Sequence, residues 1–414
     1  MHLNSPSIPP PQNLRQDLTV IGLVGLAHAT SHFFHLMLVP LFPIFMTELN
    51  LSFSQVGLLT SVFFIISGTG QAMAGFLVDR VGARWVLCGA LGLFVLAALT
   101  ASMSHSYAGL MSAAALAGLG NASFHPVDFT ILNQRVSLHR LGHAFSVHGI
   151  AGTLGWAAAP VFFVGIALHS NWRNAYLAAA VLALAVLGVM LLARERLQTQ
   201  VHLHPVTTSL PHRWQADFAF LKLPVIWGCF GFFVLTTMTL AVVQIYSVPI
   251  LQALQGVSLQ AATTTLTAYM LCSAGGMVCG GFLTRQMQSD KAVVASLLCA
   301  ALLLAWCASG YLGAAETMTV LAAVGFAVGL SGPSRDMLIK KAAPKGATGR
   351  VYGAVYSGLD VGFALAPLGF GLLMDRHAYA ATWLVAAGVL LLAVWVALEV
   401  GRRIRLEEFW SAFA

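Results

Sequence analysis

Apolar runs separated by short polar breaks repeat along the whole chain. A run of about 20 apolar residues is what an α-helix needs to cross the hydrocarbon core of a bilayer. The pattern predicts twelve such helices. Helix 1 covers 18–46, helix 2 53–78, helix 3 85–103, helix 4 107–133, helix 5 141–167 and helix 6 172–193. Helices 7, 8 and 9 cover 224–251, 259–284 and 291–309, and helices 10, 11 and 12 cover 316–339, 350–374 and 380–400. The order divides the chain into a tail (1–17), a six-helix bundle (18–193), a linker (194–220), a second six-helix bundle (221–400) and a closing tail (401–414). The first tail is polar, carries Pro6, Pro9, Pro10 and Pro11, and has no cleavable signal pattern, so it reads as disordered. The linker contains Arg194, Arg196, His202, His204, His212 and Arg213, whose histidines read as solvated.

Composition agrees with a polytopic membrane protein. Charged residues make up 8% of the 414, hydrophobic residues 58%, and the mean hydropathy is +0.82. A soluble domain carries about 25% charged residues. The net charge of +7 reports topology rather than nucleic-acid binding. Of the 21 Lys and Arg residues, only Arg173 and Arg376 fall on one side and Arg335 within a span, while the remainder fall on the other side. That asymmetry places both termini in the cytoplasm of a bacterial-type inner membrane, with the lipid bilayer as the protein's surroundings. The six cysteines lie in apolar runs with no C-x-x-C pair, and read as small buried hydrophobes.

The two halves repeat. Gly75-Phe-Leu returns as Gly281-Phe-Leu, and at the same offset Ser52, Ser67 and Gly70 return as Ser258, Ser273 and Gly276. Pro126, Gly142 and Ala159-Pro160 return, one residue further displaced, as Pro333, Gly349 and Ala366-Pro367. A near-constant offset over several spans indicates two parallel six-helix bundles. The fold class is therefore all-α, with twelve transmembrane helices in two pseudo-symmetric halves.

Ionisable residues inside a span are functional candidates, because hydrocarbon tolerates them poorly. Helix 1 carries His28, His32 and His35 on one face. Helix 4 carries His125 and Asp128, helix 5 His148, helix 10 Arg335 and Asp336, and helix 11 Asp360. Helix 7 adds Gln244 and Tyr246. Two readings of the histidines stand. Imidazole titrates near pH 6.5, so His32, His125 and His148 with Asp128 suit proton coupling. Alternatively each histidine bonds a neighbouring helix and packs. A metal site of histidines with Asp128 is a third, weaker reading, since His28 and His35 are expected at different depths. No cofactor is implied, and no G-x-x-x-x-G-K-[ST] phosphate loop points to ATP.

Gly75-Phe-Leu-Val-Asp79-Arg80-Val-Gly82-Ala-Arg84 ends the second run. Its G-x-L-x-D-R-x-G-x-R pattern resembles the loop between helices 2 and 3 of the major facilitator superfamily. Gly75 permits close helix approach and Gly82 a tight turn. In the second half the loop is degraded, since Gly281-Phe-Leu-Thr-Arg285 lacks the aspartate. Gly118-Leu-Gly120-Asn-Ala-Ser-Phe124-His125-Pro126, with Ser31-His32 and Pro40-Leu-Phe-Pro43, resembles the fosmidomycin-resistance branch. Gly149, Gly152 and Gly155 on helix 5 resemble the glycine-rich stretch of superfamily antiporters, although Ala159-Pro160 replaces Gly-Pro. The arginine that many proton-driven exporters carry on helix 4 is Ala114 here.

The resemblance implies the major facilitator fold, with helices 1, 4, 7 and 10 around a central cavity. It implies a monomeric secondary transporter, not an enzyme, that moves a small anionic solute or drug by proton-coupled export. Its alternatives are a proton-linked uptake symporter for a small organic anion, a metal or metal-chelate exporter, and a receptor that kept the fold. His28, His32, His35, Gln244, Tyr246, Arg335, Asp336 and Asp360 would then bind substrate. Gly75, Asp79, Arg80, Gly82 and Arg84 would gate the conformational change. Asp128 and Arg335 occupy equivalent positions, so a cross-cavity ion pair is one expectation. Pairing within each half, Asp128 with His148 and Arg335 with Asp336 or Asp360, is the other.

Overall fold

The computed structural model describes residues 13–200, 219–283, 286–342 and 348–411. His202, His204, His212, Arg213, Arg285 and Lys345 lie outside them. The first bundle contains α1 (Leu14–His35), α2 (Phe42–Leu49), α3 (Phe53–Val81), α4 (Ala83–Ser102), α5 (Tyr107–Asn121), α6 (Phe124–Arg135), α7 (Leu141–His169) and α8 (Trp172–Leu192). The second contains α9 (Pro224–Gln255), α10 (Leu259–Leu283), α11 (Ser289–Cys307), α12 (Ala314–Ala342), α13 (Thr348–Asp375) and α14 (Tyr379–Ser411). Among the described residues, 11 stretches are long and apolar enough to cross a membrane.

Three expected helices differ from the sequence reading, each for a local reason. Helix 1 breaks after His35 and resumes as α2. Pro40 and Pro43 lack the N–H groups that would continue the ladder. Helix 4 divides into α5 and α6 at residues 122–123. There Pro126 withholds the bond that the Ala122 carbonyl would accept. Helix 12 runs on to Ser411, well past the expected end at 400. Pro160, Pro249, Pro333 and Pro367, by contrast, sit inside continuous helices.

Small residues set the helix spacing, and they do so twice. A methyl group on Gly118 of α5 would overlap the Phe63 carbonyl oxygen of α3, and one on Gly325 of α12 would overlap that of Tyr269 on α10. Gly155 packs on the Ala29 carbonyl of α1, and Gly362 lies 2.7 Å, measured from an added methyl, from the Val234 carbonyl of α9. Each second contact sits one repeat along from the first, so the sequence repeat is a structural one.

Helix ends alternate between two sides, here the basic side, with the Lys and Arg clusters, and the far side. The bundles meet along two seams, α3 with α13 and α7 with α10. At the far end of the first seam Asp375 caps α3, accepting from Phe53 N at 2.6 Å and Ser54 Oγ at 2.5 Å. Further in, Ser61 Oγ donates to Ala364 O (2.8 Å), Phe64 stacks on Phe363 (4.2 Å) and Ser67 Oγ donates to Asp360 Oδ1 (3.4 Å). On the other seam Thr267 Oγ1 donates to Ala157 O at 3.0 Å. Among the described residues, all cross-bundle hydrogen bonds lie between mid-helix and the far side. Toward the basic side, a methyl added at Gly75, Gly149, Gly281 or Gly353 would meet nothing within 4 Å. Among the described residues the cross-bundle hydrogen bonds gather toward the far side, and the close helix approach expected at Gly75 is not made in this state.

Glycine substitutions should separate these regions. Gly118→Val forces α5 off α3, an overpacking that costs about 1–3 kcal/mol, and should lower the unfolding temperature in detergent by several degrees. Gly75→Ala should leave it within about 1 °C, because no atom waits there. Equal losses for the two would contradict the packing described.

Candidate functional site

Four helices of the first bundle converge on one polar column. On α1, His28, His32 and His35 lie on one face over about 10 Å of helix. On α7, His148, Gly152 and Trp156 follow at four-residue intervals and face them. Gly152 makes the fit possible. A methyl group there would lie 2.7 Å from His32 Cε1 and 3.1 Å from His28 Cδ2. The rings form a ladder, with His28 on His148 at 3.5 Å, His28 by His32 at 4.4 Å and His32 on His35 at 4.5 Å between centroids. His32 also packs on Trp156, at 4.3 Å.

Asp128 of α6 anchors one end of the column. Its carboxylate is wholly buried. Oδ2 accepts from His28 Nδ1 at 2.9 Å and from His148 Nε2 at 3.0 Å. While Asp128 is ionised its oxygens only accept, and both imidazoles then present N–H to it. Oδ1 has no partner among the described residues, nor has the buried Nδ1 of His32. The acid thus pairs with His148, as the sequence allowed, and also with His28. His125, one turn before Asp128, is half-buried and lies 5.5 Å from His28 and 5.9 Å from Phe129, ring to ring.

The other end is His35, whose Nε2 faces Asn121 Oδ1 at 2.9 Å while Trp156 Nε1 donates to its Nδ1 at 3.3 Å. An indole N–H only donates, so His35 is neutral with its proton on Nε2. The sequence reading missed Asn121, Ser67 and Trp156. Asn121 and Ser67 are common helix residues with no ionisable group to mark them, and Trp156 reads as one more apolar residue.

One repeat along from Asp128, Arg335 of α12 occupies the matching place in the second bundle. Where Asp128 lies between His28 and His148, Arg335 lies over Phe233 of α9 at 4.6 Å and near Tyr356 of α13 at 6.0 Å. Its Nε donates to Asp336 Oδ1 at 3.1 Å, and Tyr356 Oη donates to the same oxygen at 2.9 Å. The Arg335 and Asp336 side chains are 29% and 41% exposed, unlike the buried histidine column. The cross-cavity pair of Asp128 and Arg335 is absent from this state, and each is held within its own bundle. Asp360 meets Ser67 rather than Arg335.

Gln244 and Tyr246 are fully buried. The Tyr246 hydroxyl lies 2.5 Å from where Gly57 of α3 would carry a methyl, so this side chain belongs to the far-side seam. At the basic side Gly82 has φ 90°, which turns α3 into α4. Asp79 and Arg80 are exposed. Arg84 reaches Gln198 Oε1, at the start of the linker after α8, at 3.5 Å, and Thr199 Oγ1 accepts from Ala83 N at 3.0 Å.

Nitrogens of His28, His125 and His148 lie within 4.8 Å of one another, a spacing a metal ion could use. Two of the three rings are nearly parallel, however, with 25° between planes. Both nitrogens already lie within hydrogen-bond distance of Asp128 Oδ2, at 2.9 and 3.0 Å. The geometry favours the shared hydrogen bond over an ion.

The family model of the Major Facilitator Superfamily matches residues 24–367 and 245–410. The fosmidomycin resistance protein of Escherichia coli is 25% identical over 276 residues, covering 64% of this chain and 65% of that one. The membrane sensor protein UhpC of Salmonella typhimurium is 29% identical over 158 residues, 37% of this chain and 35% of that one. The chain thus spans less than two thirds of the length of each relative. A crystal structure of a mutant of nucleoside transporter NupG superposes with a TM-score of 0.74 at 15% identity, over 92% of this chain and 99% of that one. The repeated two-bundle fold and the family match over most of its length agree: this chain belongs to the Major Facilitator Superfamily.

Proposed function

We propose that the protein is a secondary transporter that exports a small anionic organic solute or drug by alternating access, in exchange for protons. The observation that carries this reading is the buried Asp128 carboxylate shared by two imidazoles, in a bundle whose described hydrogen bonds to the other bundle gather toward the far side. With the basic side in the cytoplasm of the inner membrane, as the Lys and Arg distribution supports, the structure is the inward-open state.

In this scheme Asp128, His148, His32 and His125 hold and pass the protons. Half-buried His125 lies beside the column, and the unpartnered Asp128 Oδ1 and His32 Nδ1 are the polar positions left for a proton. Arg335 supplies the charge that recruits an anion, with Asp336 and Tyr356 orienting its guanidinium. A role in drug resistance is supported by the likeness to the fosmidomycin resistance protein. His28 and His35 hold the column in register rather than touch substrate. Gln244 and Tyr246 serve the far-side closure. Asp79, Arg80 and Arg84, undocked from the second bundle here, engage it when the basic side closes. A small-molecule substrate and protons are the partners, and the monomer is the working unit.

A sensor that binds its ligand without moving it is the competing reading, favoured by the likeness to UhpC. Flux in proteoliposomes distinguishes the two, using fosmidomycin-like phosphonates and small carboxylates as probes. Export predicts solute flux with opposite proton movement, and Asp128→Asn should abolish the proton movement. Substrate binding without flux would establish the sensor, and parallel proton and solute movement would establish symport. Arg335→Gln should raise KM for the anion at least tenfold, since a charge-assisted contact contributes about 1.5–3 kcal/mol. Asp79→Asn should lower turnover while KM stays within about twofold. A matching loss of affinity would remove the gating role.

A further inference from the structure

The hydrogen bonds beyond His35 run in one direction. Trp156 Nε1 donates to His35 Nδ1 (3.3 Å), and His35 Nε2 donates to Asn121 Oδ1 (2.9 Å). Asn121 Nδ2 then donates to Ser67 Oγ (2.8 Å), and Ser67 Oγ donates to Asp360 Oδ1 (3.4 Å). An indole can only donate and a carboxylate can only accept, so both ends fix the sense of every bond between them. The tautomer of His35 and the orientation of the Asn121 amide follow without freedom. Ser31 Oγ adds a second donor to Asn121 Oδ1 at 2.5 Å, which holds that amide in place.

The chain passes from α7 through α1, α5 and α3 of the first bundle and ends on α13 of the second. All five side chains are buried, Ser67 completely. The last step crosses the seam about 20 Å along α3 from the far-side cap at Ser54, close to mid-helix. Contact there is tight, because a methyl on Gly68 would lie 2.9 Å from Asp360 Cβ. At 3.4 Å the Ser67–Asp360 bond is already long, so a small displacement of α13 breaks it.

We propose that Trp156, Asn121 and Ser67 are positioning residues that form a one-way hydrogen-bond bridge, through which the histidine column is tied to Asp360 and hence to the placement of the second bundle. With Asp360 seated, Ser67 has an acceptor and the chain is saturated to Trp156. With Asp360 withdrawn, the Ser67 hydroxyl loses its acceptor, because Trp156 still keeps the His35 proton on Nε2 and the Asn121 amide still turns its N–H toward Ser67. The bridge therefore favours the far-side-closed state and links it to the ring geometry of the column. This rests on the alternating-access reading but on no particular substrate.

Far-side opening can be read without substrate from spin labels at Met103→Cys and Tyr311→Cys. Both native side chains are strongly exposed, at 76% and 89%, and lie at far-side loops of opposite bundles. The labels go on full-length protein in nanodiscs whose six native cysteines are replaced. Losing one hydrogen bond of about 1 kcal/mol predicts that Ser67→Ala and Asp360→Ala each raise the open-to-closed ratio about fivefold. The double variant should rise no further than either single one. Asp360→Asn keeps an acceptor oxygen and should restore the parent distribution. Asn121→Ala, one step back in the chain, should reproduce Ser67→Ala. Multiplying effects of Ser67→Ala and Asp360→Ala, or an unshifted Asn121→Ala, would overturn the bridge. A failed search for transported solutes would leave this result untouched, so the two readings fail separately.

Discussion

A carboxylate buried among membrane-spanning helices has no water to satisfy it, so its partners must come from neighbouring helices. Asp128 meets that constraint by giving one oxygen to two imidazoles, from α1 and α7. The rest of the first bundle follows from it. The imidazoles must stack to reach the same atom, the stack needs Gly152 as a gap on α7, and α1 must approach α7 closely enough to need Gly155. Leaving the second carboxylate oxygen without a partner is costly unless a proton or a ligand group uses it, which is why this place carries the functional reading.

The two bundles solve the same geometric problem with opposite chemistry. Equivalent positions hold an acid among histidines in one half and an arginine over aromatic rings in the other. Duplicated backbone contacts, such as Gly118 on Phe63 and Gly325 on Tyr269, keep the halves alike, while their polar centres have diverged. An internally satisfied acid and a partly exposed arginine suit different tasks, one holding protons and one meeting an anion.

The helices were legible because apolar length is a strong signal, and their bounds fell within a few residues for most spans. Breaks in helices 1 and 4 were missed, although Pro40, Pro43 and Pro126 were in view, since proline breaks some membrane helices and is tolerated in others. Facing of His28, His32 and His35 was legible from spacing, while the pairing of Asp128 with His148 was one of two expectations left open. The convergence of His28 on the same oxygen depends on the α1–α7 distance, which no spacing reports. Asn121, Ser67 and Asp375 were invisible for a related reason. A neutral side chain, or an acid at a helix end, becomes important only through a partner that folding brings from far along the chain, as Asp375 meets Ser54.

In the proposed scheme the bundles move as bodies around an intact column while the seam alternates. A structure of the opposite state, trapped by a cross-link that shuts the basic side, tests this most directly. It should show His28 and His148 still on Asp128 Oδ2, with Ser67–Asp360 and Ser54–Asp375 broken. A column that had come apart, with Asp128 released from both imidazoles while the far-side seam stayed shut, would contradict it.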